Sequence, residues 1–543
     1  MMTGVQHIAR LMGTYQSITE KQSFSVIMSN FCNGFGYSWN IFYSPLTAYV
    51  PLIFKLFNVS FIKCIKLFMF VVVLASGITM YFFTLEVTKN KKIALLSSLF
   101  YIFAPYRLTD MYARNALAEL TSFVFIPMIF HGLYGILKQK EKKEILLILG
   151  AVGLILTHTV IAMYVAIICF VYVLTQLKKF KNKKIFLKLI SSIIFIIIIT
   201  SFFWAPLLEH KLKAEYEVFK PGRMERTDVL IAFKLNFYEL FITPKENIMT
   251  YEIGWLSVTL LLFTPVVIKR LNKKFKKTDF YCFYIFSLIS GLICITMTLK
   301  IFPFEDLPSI LKMLQFSFRM LEFSSFFLAI VASINFAYLI KTVKYKDILV
   351  LMIILMLLTC SFIPHLHYAD NVDESRLWPA VRVTSKTGRV HAGCASFEYL
   401  PCKAFENREY IENRTDDVIV LEGNATIYDK EKRGTNLKCK LLDSQEATLI
   451  EFPYIYYLGY NVTIEKEDKE INIKTIETKN GFLGCILPEI EDTTLKVSYK
   501  GTKIMNITNI LSILGFIILI FKVYLFNYIK KSYKSRTIFK KKI

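Results

Sequence analysis

The sequence predicts an α-helical polytopic membrane protein with an extracytoplasmic β-sandwich or jelly-roll domain before its last transmembrane helix. Hydrophobic residues make up 54% of the 543 residues and the mean hydropathy is +0.45, values typical of membrane chains. Apolar stretches long enough to cross a bilayer recur from residue 61 to 363 and once more at 505–527. Between these regions, short alternating runs separated by Gly, Asp and Asn indicate strands and turns.

The formal net charge of +24 comes from lysines and arginines that separate the apolar stretches. Because they form no single patch beside stacking aromatic residues, no nucleic-acid partner is expected. Short cytoplasmic loops accumulate Lys and Arg, so the clusters predict the orientation of the chain in its membrane. The six clusters are Lys89 to Lys92, Lys138 to Lys143, Lys178 to Lys184, Lys269 to Lys277, Lys341 to Lys346 and Lys530 to Lys542.

Eleven spans place all six clusters on the cytoplasmic side. They are 61–85, 92–105, 119–137, 144–157, 160–177, 186–206, 253–270, 281–298, 322–340, 347–363 and 505–527. Residues 61–363 then form a ten-helix transmembrane domain, and residues 364–504 the β-rich domain outside the cell membrane. The helix 505–527 returns the chain to a basic cytoplasmic tail at 528–543.

Residues 1–60 must lie outside in this scheme, although no span precedes them. A first span upstream of Met1 is therefore expected, which would make twelve in the full protein. Within this outer segment, the amphipathic stretch from Leu46 to Phe57 predicts an interfacial helix.

Five strands are predicted in the β-rich domain: Asp417–Leu421, Ala447–Phe452, Asn461–Glu465, Glu470–Thr475 and Thr494–Tyr499. Four tyrosines, Tyr454, Tyr456, Tyr457 and Tyr460, are expected to face the core of this domain, with a sugar-stacking surface as the less favoured alternative.

Five cysteines fall outside the cytoplasm, where disulfides are permitted: Cys32, Cys394, Cys402, Cys439 and Cys485. Cys394 could bridge to Cys402, and Cys439 to Cys485, but spacing does not fix the connectivity. No paired C-x-x-C motif indicates a zinc site.

The densest candidate site is the outer loop from Pro105 to Glu119. Arg107 and Arg114 suit bidentate contacts to a phosphate or pyrophosphate. Asp110 and Glu119 suit the role of a base or a metal ligand. The alternative is a salt-bridged loop with tyrosines at the membrane interface.

A second candidate lies at the outer mouth of a span, where Arg319 and Glu322 are three residues apart and share one helix face. They either pair with each other, or Arg319 neutralises a lipid-linked phosphate. His158 lies between two predicted spans, where a structural hydrogen-bonded role is favoured over an acid–base role.

A third candidate is the aromatic run from Asn33 to Pro45, which contains Tyr37 and Tyr43. Such a run lining a cavity between bilayer and water suits a lipid-borne substrate. Tyr106 supplies a further interfacial ring. No Gly-rich phosphate loop, H-E-x-x-H or G-x-S-x-G motif occurs in the sequence. The motifs that usually indicate ATP-driven transport or soluble hydrolase chemistry are therefore lacking.

Several runs resemble a known family. They are GYSWNIFYSPL from Gly36, APYRLTDMYARNALAE from Ala104, LTH from Leu156, QFSFR from Gln315 and EYLP from Glu398. These look like the bacterial membrane proteins labelled 6-pyruvoyl-tetrahydropterin synthase-related, and the resemblance spans nearly the whole chain. The label implies no pterin chemistry. The family is similar to polytopic glycosyltransferases of the GT-C architecture, which use polyprenyl-phosphate sugars.

The resemblance implies transfer of a sugar from a polyprenyl-phosphate donor to a cell-envelope acceptor such as a cell-wall polymer. An acceptor hydroxyl would lose its proton to a base, while Arg or a divalent metal, Mg or Mn, stabilises the leaving phosphate. No other cofactor is implied.

In such enzymes an acidic residue follows the first span, and here it would precede Met1. His7 and Arg10 match the His and Arg that follow it. Without that residue this copy is expected to be impaired, and the remaining catalytic candidates are Asp110, Glu119 and His158. The resemblance assigns phosphate contacts to Arg107, Arg114, Arg319 and Arg10.

Two other functions compete with glycosyl transfer. A flippase or transporter for lipid-linked sugars would also use many spans and a cationic cavity, although no internal repeat is evident. A non-catalytic cell-envelope scaffold is the other alternative.

Overall fold

A computed structural model describes residues 2–22, 26–243, 249–340, 346–362, 394, 397–444, 447–466 and 469–540. Helices dominate. They are α1 (Met2–Thr19), α2 (Trp39–Phe42), α3 (Leu46–Tyr49), α4 (Phe61–Thr88), α5 (Lys91–Ile102), α6 (Pro105–Leu108), α7 (Leu117–Leu137), α8 (Lys143–Ile155), α9 (Thr159–Thr175), α10 (Lys183–Lys213), α11 (Thr227–Ala232), α12 (Trp255–Leu262), α13 (Thr264–Phe275), α14 (Asp279–Thr298), α15 (Ser309–Lys312), α16 (Met320–Leu339), α17 (Lys346–Phe362), two short helices at Cys402–Glu406 and Arg408–Asn413, and the C-terminal helix (Lys503–Lys540).

Six helices in the described part of the chain are long and apolar enough to cross a bilayer, which confirms the polytopic helical class. They are α4, α7, α10, α14, the stretch Ser317–Leu339 that contains α16, and the first part of the C-terminal helix, Lys503–Tyr524. Helices α12 and α13 pass the same test as a pair, but the pair is bent by 50°.

The remaining predicted spans correspond to α5, α8, α9 and α17, which have 12, 13, 17 and 17 residues. A helix that crosses the hydrocarbon core needs about 20 residues. The count of eleven spans therefore stays a prediction.

Polar residues fix where the helices begin. The side chain of Asn90 accepts the backbone N–H groups of Lys92 (2.9 Å) and Ile93 (3.2 Å) at the start of α5. Asn182 accepts the N–H of Lys184 (2.9 Å) at the start of α10. Such caps satisfy N–H groups that the first helical turn leaves unpaired.

Helices α7 and α16 form the centre of the helical part. In their apolar windows 83% and 89% of the residues are buried, against 28–39% in the other four candidate spans. The outer helices therefore turn most of their surface toward lipid. Gly132 lets α8 approach α7 closely, because a Cβ at that position would collide with the backbone of Leu147.

In the described part of the chain, nine strands form two antiparallel sheets, which confirms a β-sandwich. The strands are β1 (Ile419–Glu422), β2 (Thr426–Arg433), β3 (Asn436–Ser444), β4 (Thr448–Ile455), β5 (Tyr460–Lys466), β6 (Lys469–Ile473), β7 (Thr475–Glu477), β8 (Phe482–Leu487) and β9 (Ile490–Tyr499). The sheet orders are β1-β4-β8-β7 and β2-β3-β9-β5-β6. The five predicted strands correspond to β1, β4, β5, β6 and β9. Residues 364–393 of the predicted domain lie outside the described residues.

Side chains from both sheets share one core, which includes Leu441, Phe452, Val462 and Phe482. The tyrosine run belongs to this core, as predicted: Tyr454, Tyr457 and Tyr460 are all buried.

The N-terminal segment joins the sandwich to the helices. The carbonyl of Phe35 accepts the N–H of Ile455 in β4 (2.8 Å), and the rings of Phe35 and Phe482 pack edge to face. Eleven residues further on, the N–H of Leu46 donates to the carbonyl of Leu156 at the end of α8 (2.8 Å).

The cysteines are arranged differently from the pairs that spacing suggested. The sulfur of Cys394 lies 3.0 Å from that of Cys32, 362 residues away in sequence, rather than beside Cys402. Cys439 and Cys485 are both buried in the sandwich as free thiols. Spacing misled here because the segment containing Cys32 folds onto the sandwich.

Candidate functional site

The loop between α5 and α7 is folded into compact turns. Pro105 starts α6, and residues Thr109–Arg114 continue as a single π-helical turn. Asn115 then takes a left-handed conformation (φ 51°), and its N–H and that of Ala116 bond to the carbonyl of Asp110. Such π turns are frequent at functional sites. The fold of the loop brings Asp110 and Arg114 next to the first turn of α7.

Glu119 lies at the centre of a buried ion cluster. Arg114 contacts both of its carboxylate oxygens, with Nη1 2.5 Å from Oε2 and Nη2 2.9 Å from Oε1. The Nε of Arg319 lies 2.6 Å from Oε1, and the hydroxyl of Tyr106 donates to Oε2 at 2.9 Å. Arg114 also contacts Asp110 at 2.5 Å. We call these five residues the Glu119 cluster.

The cluster contains two guanidinium groups and two carboxyl groups. Asp110 is fully buried, and its Oδ2 has no hydrogen-bond partner among the described residues. Burial, and then the charge of Glu119, raise the pKa of Asp110 well above its usual value. Burial thus disfavours the charged form of Asp110, while two guanidinium groups share the carboxylate of Glu119.

Arg319 is held by the turn before α16. It donates to the carbonyl of Leu314 (2.7 Å) and to the side chain of Gln315 (3.1 Å), and its guanidinium lies 5.0 Å from the ring centre of Phe316. It does not pair with Glu322, contrary to one of the two alternatives. Glu322 is fully buried and accepts a hydrogen bond from Ser122 instead.

Arg107 lies apart from the Glu119 cluster. It donates to the carbonyl of Ile102 and to the hydroxyl of Ser76, each at 2.9 Å, and its guanidinium lies over the ring of Phe123. Burial lowers the pKa of Arg107 to about 10, so the group stays charged. These contacts attach the loop to α4 and α7.

Two half-buried histidines lie near the cluster. His7 is on α1, and His158 caps the start of α9. Burial lowers the pKa of each histidine to about 3. The positive charge of Arg10 adds to this effect at His7, and that of Arg319 adds to it at His158. The negative charge of Glu119 acts in the opposite direction on both rings. Both imidazoles are therefore neutral at pH 7.

A hydrogen bond selects the tautomer of the His158 ring. The Nδ1 of His158 accepts the N–H of Ile161 at 3.4 Å, so the neutral ring carries its proton on Nε2. His158 is thus a hydrogen-bond donor toward its surroundings. Among the described residues, no such contact selects the tautomer of His7. One ring nitrogen of the neutral His7 can therefore accept a proton.

Arg10 is a buried cation. It is 1% exposed, and it donates to the side chain of Asn40 (2.8 and 3.1 Å) and to the carbonyls of Tyr43 (3.0 Å) and Ser44 (2.9 Å). Its guanidinium lies 4.6 Å from the ring centre of Tyr43. No carboxylate pairs with it, and its Nη1 has no hydrogen-bond partner, among the residues that the structure describes.

Tyr37, unlike Tyr43, is enclosed. It is fully buried, and its hydroxyl donates to the carbonyl of Cys394 and accepts the N–H of Tyr399, both at 3.1 Å. Its contacts join the N-terminal segment to the chain that enters the sandwich.

An apolar cavity of about 790 Å³ lies between the N-terminal segment, α10 and the C-terminal helix. Its walls include Ile199 and Phe203 of α10 and Ile513 and Phe516 of the C-terminal helix. Asn40, which accepts two hydrogen bonds from Arg10, also lines it. The cavity therefore extends from bilayer-facing helices to the contacts of a buried cation.

Sequence reasoning expected the run from Asn33 to Pro45 to line a cavity, and Asn40, Ile41 and Pro45 of that run do line one. It did not single out Asn40 within the run, and it named Glu398 only as part of a family motif. Glu398 is half-buried, burial raises its pKa, and its charge acts on Tyr43. Asn40 and Glu398 both lie in runs that carried the family resemblance, which was the available signal. No group of three or more His, Cys, Asp or Glu side chains able to hold a metal ion occurs in the described ranges.

Together these features define a polytopic membrane protein with a docked β-sandwich and a buried charged site where the two parts meet. Residues 41–368 match the family described as 6-pyruvoyl-tetrahydropterin synthase related domain, membrane protein. The match covers more than half of the chain, so the protein belongs to this family. An uncharacterized protein of Lactococcus lactis subsp. cremoris is 27% identical over 311 residues, which cover 55% of this chain and 49% of the relative. The match thus spans about half the length of that relative.

Proposed function

We propose that this protein is a GT-C-like glycosyltransferase that moves a sugar from a polyprenyl-phosphate donor to a cell-envelope acceptor. The observation that carries the proposal is the buried Arg10, which has no carboxylate partner among the described residues and which contacts Asn40 in the wall of an apolar cavity. A buried cation without a carboxylate is costly unless an anion compensates it. A lipid with a phosphate head supplies both the hydrocarbon for the cavity and the anion for Arg10.

The size and lining of the cavity support a lipid ligand. Small-molecule sites usually have volumes of roughly 300–1,000 Å³, and about 790 Å³ falls within that range. Its aliphatic and aromatic walls suit an isoprenoid chain. Asn40 at one end leads to Arg10, where the phosphate would lie.

The chemistry that we propose needs a neutral base and a positive site for the leaving group. In the free protein the charge of Arg10 helps to lower the pKa of His7 to about 3, and the donor phosphate beside Arg10 would offset that charge and raise the pKa. His7 then takes the proton of the acceptor hydroxyl, and the oxygen attacks the anomeric carbon. The bond from that carbon to the phosphate oxygen breaks, and the phosphate keeps the electron pair. Arg10 and the guanidinium groups of the Glu119 cluster stabilise the charge on that oxygen, with the Nε2–H of His158 as a donor.

Asp110 and Glu119 were predicted to carry out proton transfer or metal binding. Glu119 already accepts hydrogen bonds from three side chains, so in this proposal it positions Arg114 and Arg319. Asp110 contacts the guanidinium of Arg114 and helps to position it. The divalent metal of the sequence-based mechanism remains an alternative for stabilising the phosphate.

Shared ion pairs support the proposed orientation. Glu86 pairs with Lys89, Lys140 and Lys143, and Asp279 pairs with Lys138 and Lys179. Four lysine-bearing loops thus meet at one end of the helices, as common exposure to the cytoplasm requires. The sandwich, docked at the opposite end through Tyr216 and Leu400, would then be extracytoplasmic.

The test is sugar transfer by the full chain in liposomes, using a panel of labelled sugars on polyprenyl phosphate. We expect Arg10→Gln to lower the rate by at least tenfold and Arg10→Lys to retain part of it. Arg433→Gln, an exposed arginine on β2, is the matched control. Transfer that is equal in wild type and Arg10→Gln, or absent from wild type with every donor, would overturn the proposal.

The bent pair α12–α13 favours a second candidate, a flippase for lipid-linked sugars, because broken helices are common in transporters. Movement of a fluorescent polyprenyl-phosphate sugar across the liposome bilayer without a transfer product would favour this function.

A further inference from the structure

Cys32 lies in a turn whose backbone is set by its neighbours. Cys32 and Asn33 have positive φ angles (50° and 58°), and Gly34 and Gly36 follow with 82° and 92°. The turn is closed by backbone hydrogen bonds from Phe35 to Cys32 and from Gly36 to Phe31, each 3.0 Å. Left-handed backbone is strained for residues other than Gly, so the surrounding contacts hold Cys32 in place.

Cys394 is fixed to the same place by other contacts. Its carbonyl accepts hydrogen bonds from the hydroxyl of Tyr37 (3.1 Å) and from the N–H of Phe397 (2.8 Å). Asn33, next to Cys32, donates to the carbonyl of Ile411 at 3.0 Å. The two chain segments are therefore aligned independently of their thiols, and those thiols lie in contact, both fully buried.

We infer that Cys32 and Cys394 form an intrachain disulfide in the mature protein. The reaction is thiol–disulfide exchange with an oxidising protein that itself carries a reactive disulfide. Two thiols lose two protons and two electrons as the sulfur–sulfur bond forms, and the oxidant leaves as a dithiol. The inference rests on the outward orientation in the proposed function, because disulfides persist in oxidising compartments.

Burial determines when this bond forms. Burial, and then the hydrogen bond to Cys394, raise the pKa of the Cys32 thiol well above its usual value, and the thiolate is the reactive form. Exchange therefore takes place before the segment closes over the pair. Once formed, the bond is shielded from reductants until the protein unfolds.

The experiment uses the full chain purified from the cell envelope without reductant. The protein is unfolded in N-ethylmaleimide, digested and examined by mass spectrometry. We expect a linked peptide pair containing Cys32 and Cys394, present in wild type and in Cys402→Ser. Reduction should lower the unfolding midpoint of wild type by several degrees and leave that of the Cys32→Ser/Cys394→Ser double variant unchanged. Recovery of both cysteines as alkylated thiols would overturn the inference.

Orientation is measured separately, by labelling Lys438→Cys with a membrane-impermeant maleimide in intact cells. Lys438 is exposed on β3. If Lys438→Cys is labelled and Cys32 and Cys394 are free thiols, the proposed disulfide is wrong and the proposed orientation is right. An unlabelled Lys438→Cys with free thiols means that both fail.

Discussion

The carboxylate of Glu119 accepts hydrogen bonds from Tyr106, Arg114 and Arg319, and all four side chains are largely withdrawn from solvent. Both guanidinium groups share this carboxylate, and Arg114 has a second carboxyl contact, with Asp110. The energetic consequence of losing the Glu119 carboxylate is much larger than for an exposed pair.

Glu119→Gln is therefore expected to destabilise the protein by about 3–5 kcal/mol, the range for breaking a buried ion pair. Glu470→Gln is the matched control. It removes a carboxylate that pairs with the exposed Lys496, and its cost should stay below about 1 kcal/mol. Thermal unfolding in detergent, followed by intrinsic fluorescence, measures both. Equal midpoints for the two variants would contradict the central position of Glu119.

The lowered pKa values of His7 and His158 predict that the folded protein loses stability as the pH becomes acidic. Their folded pKa values of about 3 lie below the ordinary value of 6.5, so the unfolded chain binds more protons between these values. The stability that each neutral ring contributes is fully present above pH 6.5 and is lost as the pH falls toward 3. His7→Gln and His158→Gln should each flatten the loss of stability between pH 6.5 and 4, measured as unfolding midpoint against pH. A slope unchanged in both variants would show that the rings titrate normally.

At the residue scale, sequence alone located part of the site. Asp110, Arg114 and Glu119 lie within ten residues of one another, so local composition was enough to group them. Arg319 comes from 200 residues further along the chain, and its pairing with Glu119 depends on how α7 and α16 pack. The short turn Ser317–Arg319 before α16 also directs Arg319 to this partner instead of Glu322.

At the scale of elements, α7 is a central helix around which the helical part packs. Glycines on this helix allow α8 to lie against it, and α16 covers another side. Hydropathy identified the long helices because length and apolarity are properties of single segments. It gave less guidance on α5 and α8, since a helix of 12 or 13 apolar residues has the same composition whether it crosses a bilayer or is buried in protein.

Gly132→Ala tests the contact between α7 and α8. The new Cβ would collide with the backbone of Leu147, which cannot move as a flexible side chain can. We expect a cost of roughly 1–3 kcal/mol from overpacking, although Ala favours helices over Gly. Ile193→Ala, at a lipid-facing position of α10 that is 53% exposed, should cost less. The unfolding midpoints of both variants are measured in the same detergent. A Gly132→Ala variant more stable than wild type would mean that α7 and α8 separate easily.

At the scale of the whole molecule, the sandwich and the helices meet through the segments around Trp39 and Tyr216. Five of the nine strands were predicted from alternation, and β2, β3, β7 and β8 were not. In β2 the charged run from Asp429 to Arg433 hides the pattern, because charged residues, Lys430 and Lys432, also occupy the half-buried positions. The docking of the sandwich was beyond sequence reasoning, because it depends on contacts between segments more than 180 residues apart, such as Tyr216 and Pro401.

Tyr216 is the residue on which we expect this docking to depend most. It is 1% exposed, its ring centre lies 4.9 Å from that of Phe42 and 5.9 Å from that of Tyr457, and the chain around it pairs with Pro401. Tyr216→Ala would leave a cavity at the point where three segments meet, at a cost of about 3–5 kcal/mol by analogy with Phe→Ala.

Because that cost falls on the junction, hydrogen exchange should become faster in residues 39–45 and 454–457 together, while the centre of α7 keeps its protection. Tyr428→Ala removes a ring that is 41% exposed on β2 and should change neither segment. Hydrogen exchange followed by mass spectrometry resolves the segments separately. Faster exchange confined to 454–457 would mean that the sandwich and the N-terminal segment are stabilised independently, and that the charged site does not require the sandwich to stay docked.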